Sequence, residues 1–261
     1  MVVCTLHILS LKDDVKIPAF LAKLRESGIE PVIRARVLRW MILPTTQSAG
    51  HLLGRNTKWD ILIGLAPGAS IPETAMVDID ELWTASCGVS SSVLSGYQEL
   101  SAKLISSAPA PLPLPKEQKD SSQNLEVSSE LLSWIAAQPE TIQRHPVSML
   151  NLLAFNPGKK PQYQEYGREF SRRVGSAFGG RVKIAARLVG GESQAERDGW
   201  HEVAYVHYPS LSHFSAMAAS AEYQEVNRKY RLGALKDTFI LCVVEMDDHG
   251  ELVGSGLKGK L

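Results

Sequence analysis

A run of alternating residues in the C-terminal half carries the side chains best suited to acid–base chemistry. Residues 200–208 read WHEVAYVHY, and successive residues of a strand point to opposite faces of its sheet. His201, Tyr205 and His207 therefore share one face. Because imidazole titrates near neutral pH, two histidines and a phenol beside a cavity could deprotonate an activated carbon and protonate an oxygen. We predict these three residues to be catalytic, the alternative being a polar strand face that only meets water.

A carboxylate adds a fourth predicted catalytic residue. Glu245 follows the apolar run FILCVV and is in phase with Leu241 and Val243. On a mostly buried face its pKa would rise and it could act as a base, whereas a place near the strand end would let it reach solvent.

Two pairs of residues occupy equivalent positions in the two halves of the chain. LHILSLK, from residue 6, aligns with LNLLAFN, from residue 150, so that His7 falls on Asn151; Trp59 likewise falls on Trp200. A polar group in a cavity can orient a ligand carbonyl, and an indole can stack on a planar ligand. We predict all four to bind substrate. The alternatives are structural hydrogen bonds that fix strand register and a repeated packing plug.

The spacing of the histidines and cysteines bears on whether a metal, a disulfide framework or a cofactor is expected. Neither the seven histidines nor Cys4, Cys87 and Cys242 have the spacing of a metal site or of a disulfide framework. No GxGxxG opens a helix after a strand, and P-loop, nucleophile-elbow and zinc-protease motifs do not occur in the sequence. We therefore predict no metal and no cofactor, with haem ligation by His201 or His207 left open.

The elements that would position these residues repeat along the chain. The C-terminal half predicts strands over 147–155, 181–189, 200–208 and 238–246, with helices over 161–178 and from Ser212 to about residue 235. The N-terminal half predicts strands over 2–11, 31–43 and 59–66 and a helix over 17–27, but no clean last strand within 78–104. The matched order and spacing indicate an internal duplication with a degenerate first copy.

The domain division follows from composition. A Pro/Ser-rich segment over 106–126 predicts a linker between a half at 1–105 and a half at 127–261, which also begins with a short helix over 129–137. The second half has the β-α-β-β-α-β order of the ferredoxin-like unit, and the first half begins in the same way. The sheet of such a unit has helices on one face only. We therefore predict an α+β fold in which two ferredoxin-like halves bury their open sheet faces together as one intramolecular barrel.

Several motifs of the C-terminal half resemble a known family. MLNLLAF at 149–155, YQEYGREF at 163–170, VAYVHYPS at 203–210 and HFSAM at 213–217 are similar to a family of small bacterial proteins in the dimeric α/β-barrel superfamily, which has no assigned activity. The whole chain is similar to fungal two-copy relatives. His201 and His207 replace an acid and an arginine that are usual in that family. The wider superfamily implies cofactor-free polyketide cyclases, isomerases and monooxygenases, as well as haem proteins.

Charge and composition limit the classes of binding partner and the cellular location that we expect. Lys and Arg number 28, equal to Asp and Glu, and the signs are interspersed, which does not favour nucleic acid. The sequence shows no signal peptide and no membrane-length apolar run, so a cytoplasmic location is expected. The fused halves predict a monomer, or a homodimer.

We expect a cofactor-independent enzyme acting on a small hydrophobic, aromatic or polyketide-like molecule. The alternatives are a non-catalytic small-molecule-binding or stress-related barrel and a haem-binding protein.

Overall fold

The fold is a closed, antiparallel β-barrel with helices packed outside it. The computed structural model describes residues 1–117, 125 and 127–253. Within these residues the strands are β1 (Val2–Leu11), β2 (Ile33–Ile42), β3 (Ile61–Leu65), β4 (Ile79–Val89), β5 (Val147–Phe155), β6 (Arg181–Leu188), β7 (Glu202–Tyr208) and β8 (Leu235–Glu245). The α+β class and the barrel are thus confirmed.

The two halves of the chain contribute to the barrel in the same way. The strand order is β1-β3-β2-β8-β5-β7-β6-β4, and β4 pairs with β1 to close the circle. In each half, the first strand lies between the third and the fourth. The halves meet at a long seam between β2 and β8, from Ala35 opposite Glu245 to Ile42 opposite Ile240. The other seam, between β4 and β6, has two residue pairs.

The barrel interior is a packed aromatic and aliphatic core. Strand alternation turns Leu150, Leu152 and Ala154 inward, together with Phe239 and Leu241 of β8. Phe239 lies at the centre, where the rings of Trp40, Trp83 and Trp200 meet it edge-on with centroids 5.3–5.6 Å away. Burial of these large side chains supplies much of the hydrophobic stabilisation of the barrel.

Helices cover the outside of the sheet and both ends of the barrel. They are α1 (Ile17–Glu26), α2 (Ala49–Leu52), α3 (Glu73–Met76), α4 (Ser91–Ser95), α5 (Tyr97–Ser106), α6 (Ser129–Ala137), α7 (Glu140–Gln143), α8 (Lys160–Glu169), α9 (Gln194–Arg197), α10 (Leu211–Ala219) and α11 (Ala221–Val226). In the first half, Phe20, Leu21 and Leu24 of α1 pack on outward residues of β1 and β3. In the second half, α8, α10 and α11 supply aromatic side chains to the outer layer.

The last strand of the first half exists, which corrects the prediction of no clean strand within 78–104. The helix before it, α3, has four residues, and degeneracy of the first copy stays a prediction. Strand β4 pairs with β1 along almost its whole length. Its inward residues include Ala85 and Cys87, which alternate with Ser86 and Gly88. The strand alternates, but its small residues lack the β-branched signature on which recognition from sequence depends. The predicted helix over 129–137 is confirmed as α6.

Both long helices predicted in the second half are interrupted. Helix α8 continues into a π-helical segment at Phe170–Gly175, and α11 into another at Asn227–Arg231. The cap of α10 is Ser210 rather than the predicted Ser212, since Ser210 Oγ accepts the His213 amide. Ser220 then caps α11, which separates the predicted helix into two.

Ser106, the first residue of the predicted linker, is the last residue of α5, and the other described residues of the linker, 107–117 and 125, have no helix or strand. Residues 118–124 and 126 of this linker lie outside the described residues, and the division into domains stays a prediction. Among the described residues, no helix combines the length and apolarity needed to cross a membrane.

Candidate functional site

One end of the barrel holds a buried polar cluster around Glu245. Helix α5 closes this end and presents Tyr97 and Ser101, whose hydroxyls donate to the Glu245 carboxylate over 2.7 and 2.5 Å. Lys183 forms an ion pair with the same carboxylate, and Tyr205 Oη donates to it over 3.2 Å. All the residues of this cluster are buried.

A β-bulge explains how a lysine reaches the interior. Val182 lies opposite Val206 and Ile184 lies opposite Tyr205, so that Lys183 is an extra residue in β6. A bulge changes the direction of a side chain locally. Lys183 Nζ thereby lies 5.5 and 5.4 Å from the ring centroids of Tyr97 and Tyr205 and donates to Ser101 Oγ over 3.1 Å.

The two charges of this cluster, on Glu245 and Lys183, compensate each other within the chain. Burial by itself would raise the pKa of Glu245, but the charge and hydrogen bond of Lys183, with bonds from Ser101 and Tyr97, hold this pKa below its usual value. The raised pKa that the sequence predicted is therefore wrong, because the sequence did not reveal Lys183 as a partner. Burial, and then the charge of Glu245, raise the pKa of Tyr97 and Tyr205.

The predicted catalytic row is divided between different environments. Tyr205 and His207 face the barrel interior and are buried, and burial followed by the charge of Lys183 lowers the pKa of His207 to about 3. His201 is exposed; its Nδ1 accepts the Phe155 amide over 2.9 Å, and its ring stacks on Phe155. The structure does not bring the three side chains to one cavity, and their catalytic role stays a prediction.

The two predicted binding tryptophans lie at the other end of the barrel, beneath the loop that contains α2. The indole of Trp59 donates to Leu52 O over 2.8 Å, and that of Trp200 donates to Ser48 Oγ over 2.9 Å. Ser48 Oγ also accepts Trp83 Nε1, while the Ser48 backbone has φ of 54°, which is uncommon for a residue with a side chain. These contacts are those of a packing plug; ligand binding by either tryptophan stays a prediction.

His7 and Asn151 both lie on the outer face of the sheet. His7 is beside the aliphatic layer under α1, where burial lowers its pKa to about 4 and its Nδ1 has no hydrogen-bond partner among the described residues. Asn151 is half-buried, and its Nδ2 donates to Met149 O and Ala204 O over 3.0 and 3.2 Å. Of the residues predicted to bind substrate, Asn151 is the one that lines an outer groove.

That groove lies between the outer face of the second half's sheet and its helices. We call it the tyrosine groove; it has a volume of about 170 Å³ and includes a floor of Met149, Asn151 and Ala204. Its aromatic lining and its single arginine are Tyr163, Tyr166, Phe170, Tyr208, Phe214, Tyr223 and Arg231. Exposed Val182 and Ala185 of β6 lie at its rim, so that this side meets solvent.

The ring arrangement follows from helix spacing. Tyr163, Tyr166 and Phe170 recur at intervals of three and four residues on one side of α8 and its π-helical continuation, with successive centroids 5.2 and 5.8 Å apart. Phe170 meets Tyr223 edge-on at 6.4 Å. The sequence predicted a helix over 161–178 but not that these rings would line a groove.

The hydroxyls in the groove remain protonated near neutral pH. Burial raises the pKa of Tyr163 to about 12 and also raises the pKa of Tyr166 and Tyr223. Glu202, at the edge of the groove, forms ion pairs with Lys160 and with Arg187. The groove thus combines apolar walls with neutral hydroxyls and one cation, a composition typical of small-molecule sites.

The described residues do not gather three or more His, Cys, Asp or Glu side chains into a group that could hold a metal ion. The sequence left open whether His201 or His207 binds haem, and both residues lie outside the tyrosine groove.

The chain is similar to several solved structures at low identity. One is a protein of unknown function from Rhodopseudomonas palustris, with 23% identity over 45% of this chain and 92% of that chain, at a TM-score of 0.37. A proposed monooxygenase from Lactobacillus acidophilus has 8% identity over 93% of each chain, at a TM-score of 0.46. An anthrone oxidase-like protein has 9% identity over 94% of this chain and 91% of that chain, at 0.43. No protein-family model and no curated protein matches the chain. All three TM-scores lie below 0.5, so these names describe those proteins alone.

Proposed function

We propose that this protein binds a small hydrophobic molecule, with one aromatic ring, in the tyrosine groove. The observation that carries the proposal is an aromatic groove of about 170 Å³ that is open at its β6 rim. An apolar cavity of about 150 Å³ accommodates benzene, so the groove matches a single ring in size. Edge and face contacts with the tyrosine and phenylalanine rings would hold such a ligand.

Binding is supported better than proton-transfer catalysis. The hydroxyl of Tyr205 is engaged by Glu245 at the closed end of the barrel, and His207 is buried in the interior. The tyrosine groove lies on the opposite side of the sheet, where Asn151 and Ala204 point outward. A ligand in the groove would therefore be separated from the predicted catalytic row by the barrel wall.

We also propose that the barrel is a fused pair of ferredoxin-like halves, in a cytoplasmic protein. The equal position of the first strand in each half supports this origin. The β-α-β-β order of elements in both halves supports it further.

The proposed binding can be tested by filling the groove. Ala204 is a small residue on its floor, so Ala204→Leu should occupy the space of the ligand. We expect neutral benzamide to bind the wild-type protein, as measured by NMR titration, and to bind Ala204→Leu at least about tenfold more weakly, which corresponds to about 1.4 kcal/mol. Ala102→Leu, on the exposed side of α5, is the matched control and should bind as the wild type does.

Two results would contradict the proposal. One is the failure of both benzamide and its charged analogue benzoate to bind the wild-type protein at millimolar concentrations. The other is equal binding to the Ala204→Leu variant, which would place the ligand elsewhere.

A further inference from the structure

We infer that the ligand of the tyrosine groove carries a carboxylate, which Arg231 binds, so that the ligand class is a single-ring aromatic acid. This inference rests on the proposed function. It begins with Arg231, which is 4% exposed and lines the groove. Among the described residues no Asp or Glu pairs with its guanidinium, and Nη2 has no hydrogen-bond partner.

A buried guanidinium without a counterion is costly to keep. Transfer of a charged group out of water is unfavourable unless an opposite charge and hydrogen bonds replace the lost hydration. Tyr163 is the hydrogen-bonding neighbour of Arg231, and Tyr166 and Tyr223 also interact with it. Neutral hydroxyls supply dipoles but no counter-charge. Asp237 lines a neighbouring cavity with Arg231, but its carboxylate accepts the amides of a loop, at Thr45, Thr46 and Gln47. A positive charge therefore remains that an anion would compensate.

The chemistry of the donors favours a carboxylate. A guanidinium presents its N–H groups in a planar fork that matches two carboxylate oxygens. The protonated hydroxyls of Tyr163, Tyr166 and Tyr223 can donate further hydrogen bonds, because burial raises the pKa of each. Glu202, the carboxylate at the edge of the groove, is paired with Lys160 and Arg187 and does not pair with Arg231.

The backbone around Arg231 is unusual in the same way as at many ligand sites. Arg231 is the last residue of the π-helical segment Asn227–Arg231, and π-helical turns occur frequently at functional sites. Asn227, in the same segment, is 1% exposed, and both polar atoms of its side chain lack partners among the described residues. Asn227 lies outside the groove lining, so the orphaned group that a ligand in the groove would complete is Arg231 Nη2.

The test compares two ring compounds of nearly equal shape that differ in charge. Benzoate and benzamide are titrated into the full-length wild-type protein and monitored by NMR, with acetate as an anion that has no ring. We expect benzoate to bind at least tenfold more tightly than benzamide, and acetate to bind more weakly than both. Arg231→Gln should remove the preference for benzoate while benzamide still binds. Arg231→Lys should keep part of the preference.

Arg228→Gln is the matched control, because Arg228 is exposed and outside the groove lining; its preference should equal that of the wild type. Equal binding of benzoate and benzamide to the wild-type protein would overturn the inference and leave the proposed function intact. A benzoate preference that survives Arg231→Gln would also overturn the inference. Failure of both ring compounds to bind would overturn the proposed function itself. The wild-type comparison needs no variant, so a misfolded Arg231→Gln protein would not prevent a decision.

Discussion

Two buried cations, Lys183 and Arg231, are in opposite electrostatic situations. The Lys183 side chain is 1% exposed and meets Glu245, Ser101 and two tyrosine rings inside the barrel. Arg231 is almost as buried, but its neighbours in the tyrosine groove are neutral hydroxyls. The first cation completes a network within the chain, whereas the second leaves a positive charge for something outside the chain. Burial of a charge alone therefore does not identify a ligand site; the missing partner does.

A backbone irregularity places each of the two cations, and the space around the side chain differs between them. The bulge in β6 turns Lys183 into a barrel interior that is already filled, and α5 closes that end. The π-helical segment after α11 places Arg231 in an outer helical layer that leaves about 170 Å³ unfilled. At Arg231 an uncompensated positive charge lies beside unfilled space, which is why we propose that the ligand binds there.

The largest expected effect on stability comes from breaking the buried ion pair between Lys183 and Glu245. Lys183→Met would leave the Glu245 carboxylate buried without its counterion, and loss of one partner of a buried ion pair costs about 3–5 kcal/mol. We expect the free energy of unfolding, measured by urea denaturation at pH 7, to fall by that amount. The tyrosine groove is a separate site, so benzamide binding to the folded variant should be unchanged.

The double variant Lys183→Met/Glu245→Leu is the control for this prediction. Removal of both charges leaves no unpaired ion, and such replacements are often neutral. We expect the double variant to recover most of the lost stability. A Lys183→Met protein as stable as the wild type would mean that hydroxyls alone satisfy Glu245, and the contrast with Arg231 would disappear.

The sequence predicted the frame of the molecule better than its sites. Short apolar runs identified β1 and β5 to the residue, because both strands have large apolar residues on each face. They did not identify β4, whose inward residues include Ala85 and Cys87. The sequence also placed Glu245 on a buried face, but not the partner that lowers its pKa.

Arg231 could not be recognised from sequence. It follows Arg228 and Lys229 in a predicted helix, which is the pattern of an ordinary solvated face. Only the fold shows that Arg228 and Lys229 are exposed while Arg231 is buried among tyrosines. The distinction depends on which residue the π-helical turn directs inward, and no local pattern of charges encodes it.

The closed interior should also respond to acid. The folded pKa of His207 is about 3, well below the ordinary value of 6.5, so below pH 6.5 the unfolded chain binds a proton that the folded chain does not. Stability due to neutral His207 is therefore complete above pH 6.5 and is lost as the pH falls towards 3. Between pH 8 and pH 4.5 we expect this residue alone to lower the free energy of unfolding by about 2–3 kcal/mol.

The measurement is the difference in urea stability between pH 8 and pH 4.5, in the wild-type protein and in His207→Asn. The drop should be smaller by about 2–3 kcal/mol in the variant, which lacks the titrating imidazole. The charges that act on His207 are those of Lys183, Glu245, His145 and His213, and burial outweighs them. An NMR signal of His207 that titrates near pH 6.5 in the folded protein would show that water reaches the interior.

The smallest effect on stability is expected for substitution of Arg231 in the tyrosine groove, which is the sharpest contrast with Lys183. Arg231→Met removes a buried charge that has no carboxylate partner in the described residues, so no ion is left uncompensated. The methionine keeps the apolar length of the side chain, and removal of the desolvation cost offsets the lost contact with Tyr163. We expect the free energy of unfolding at pH 7 to stay within about 1 kcal/mol of the wild-type value. Arg228→Met, at an exposed position, gives the baseline for a surface change. A loss of about 3–5 kcal/mol, equal to that of Lys183→Met, would mean that Arg231 is paired within the chain, and the two cations would then be alike.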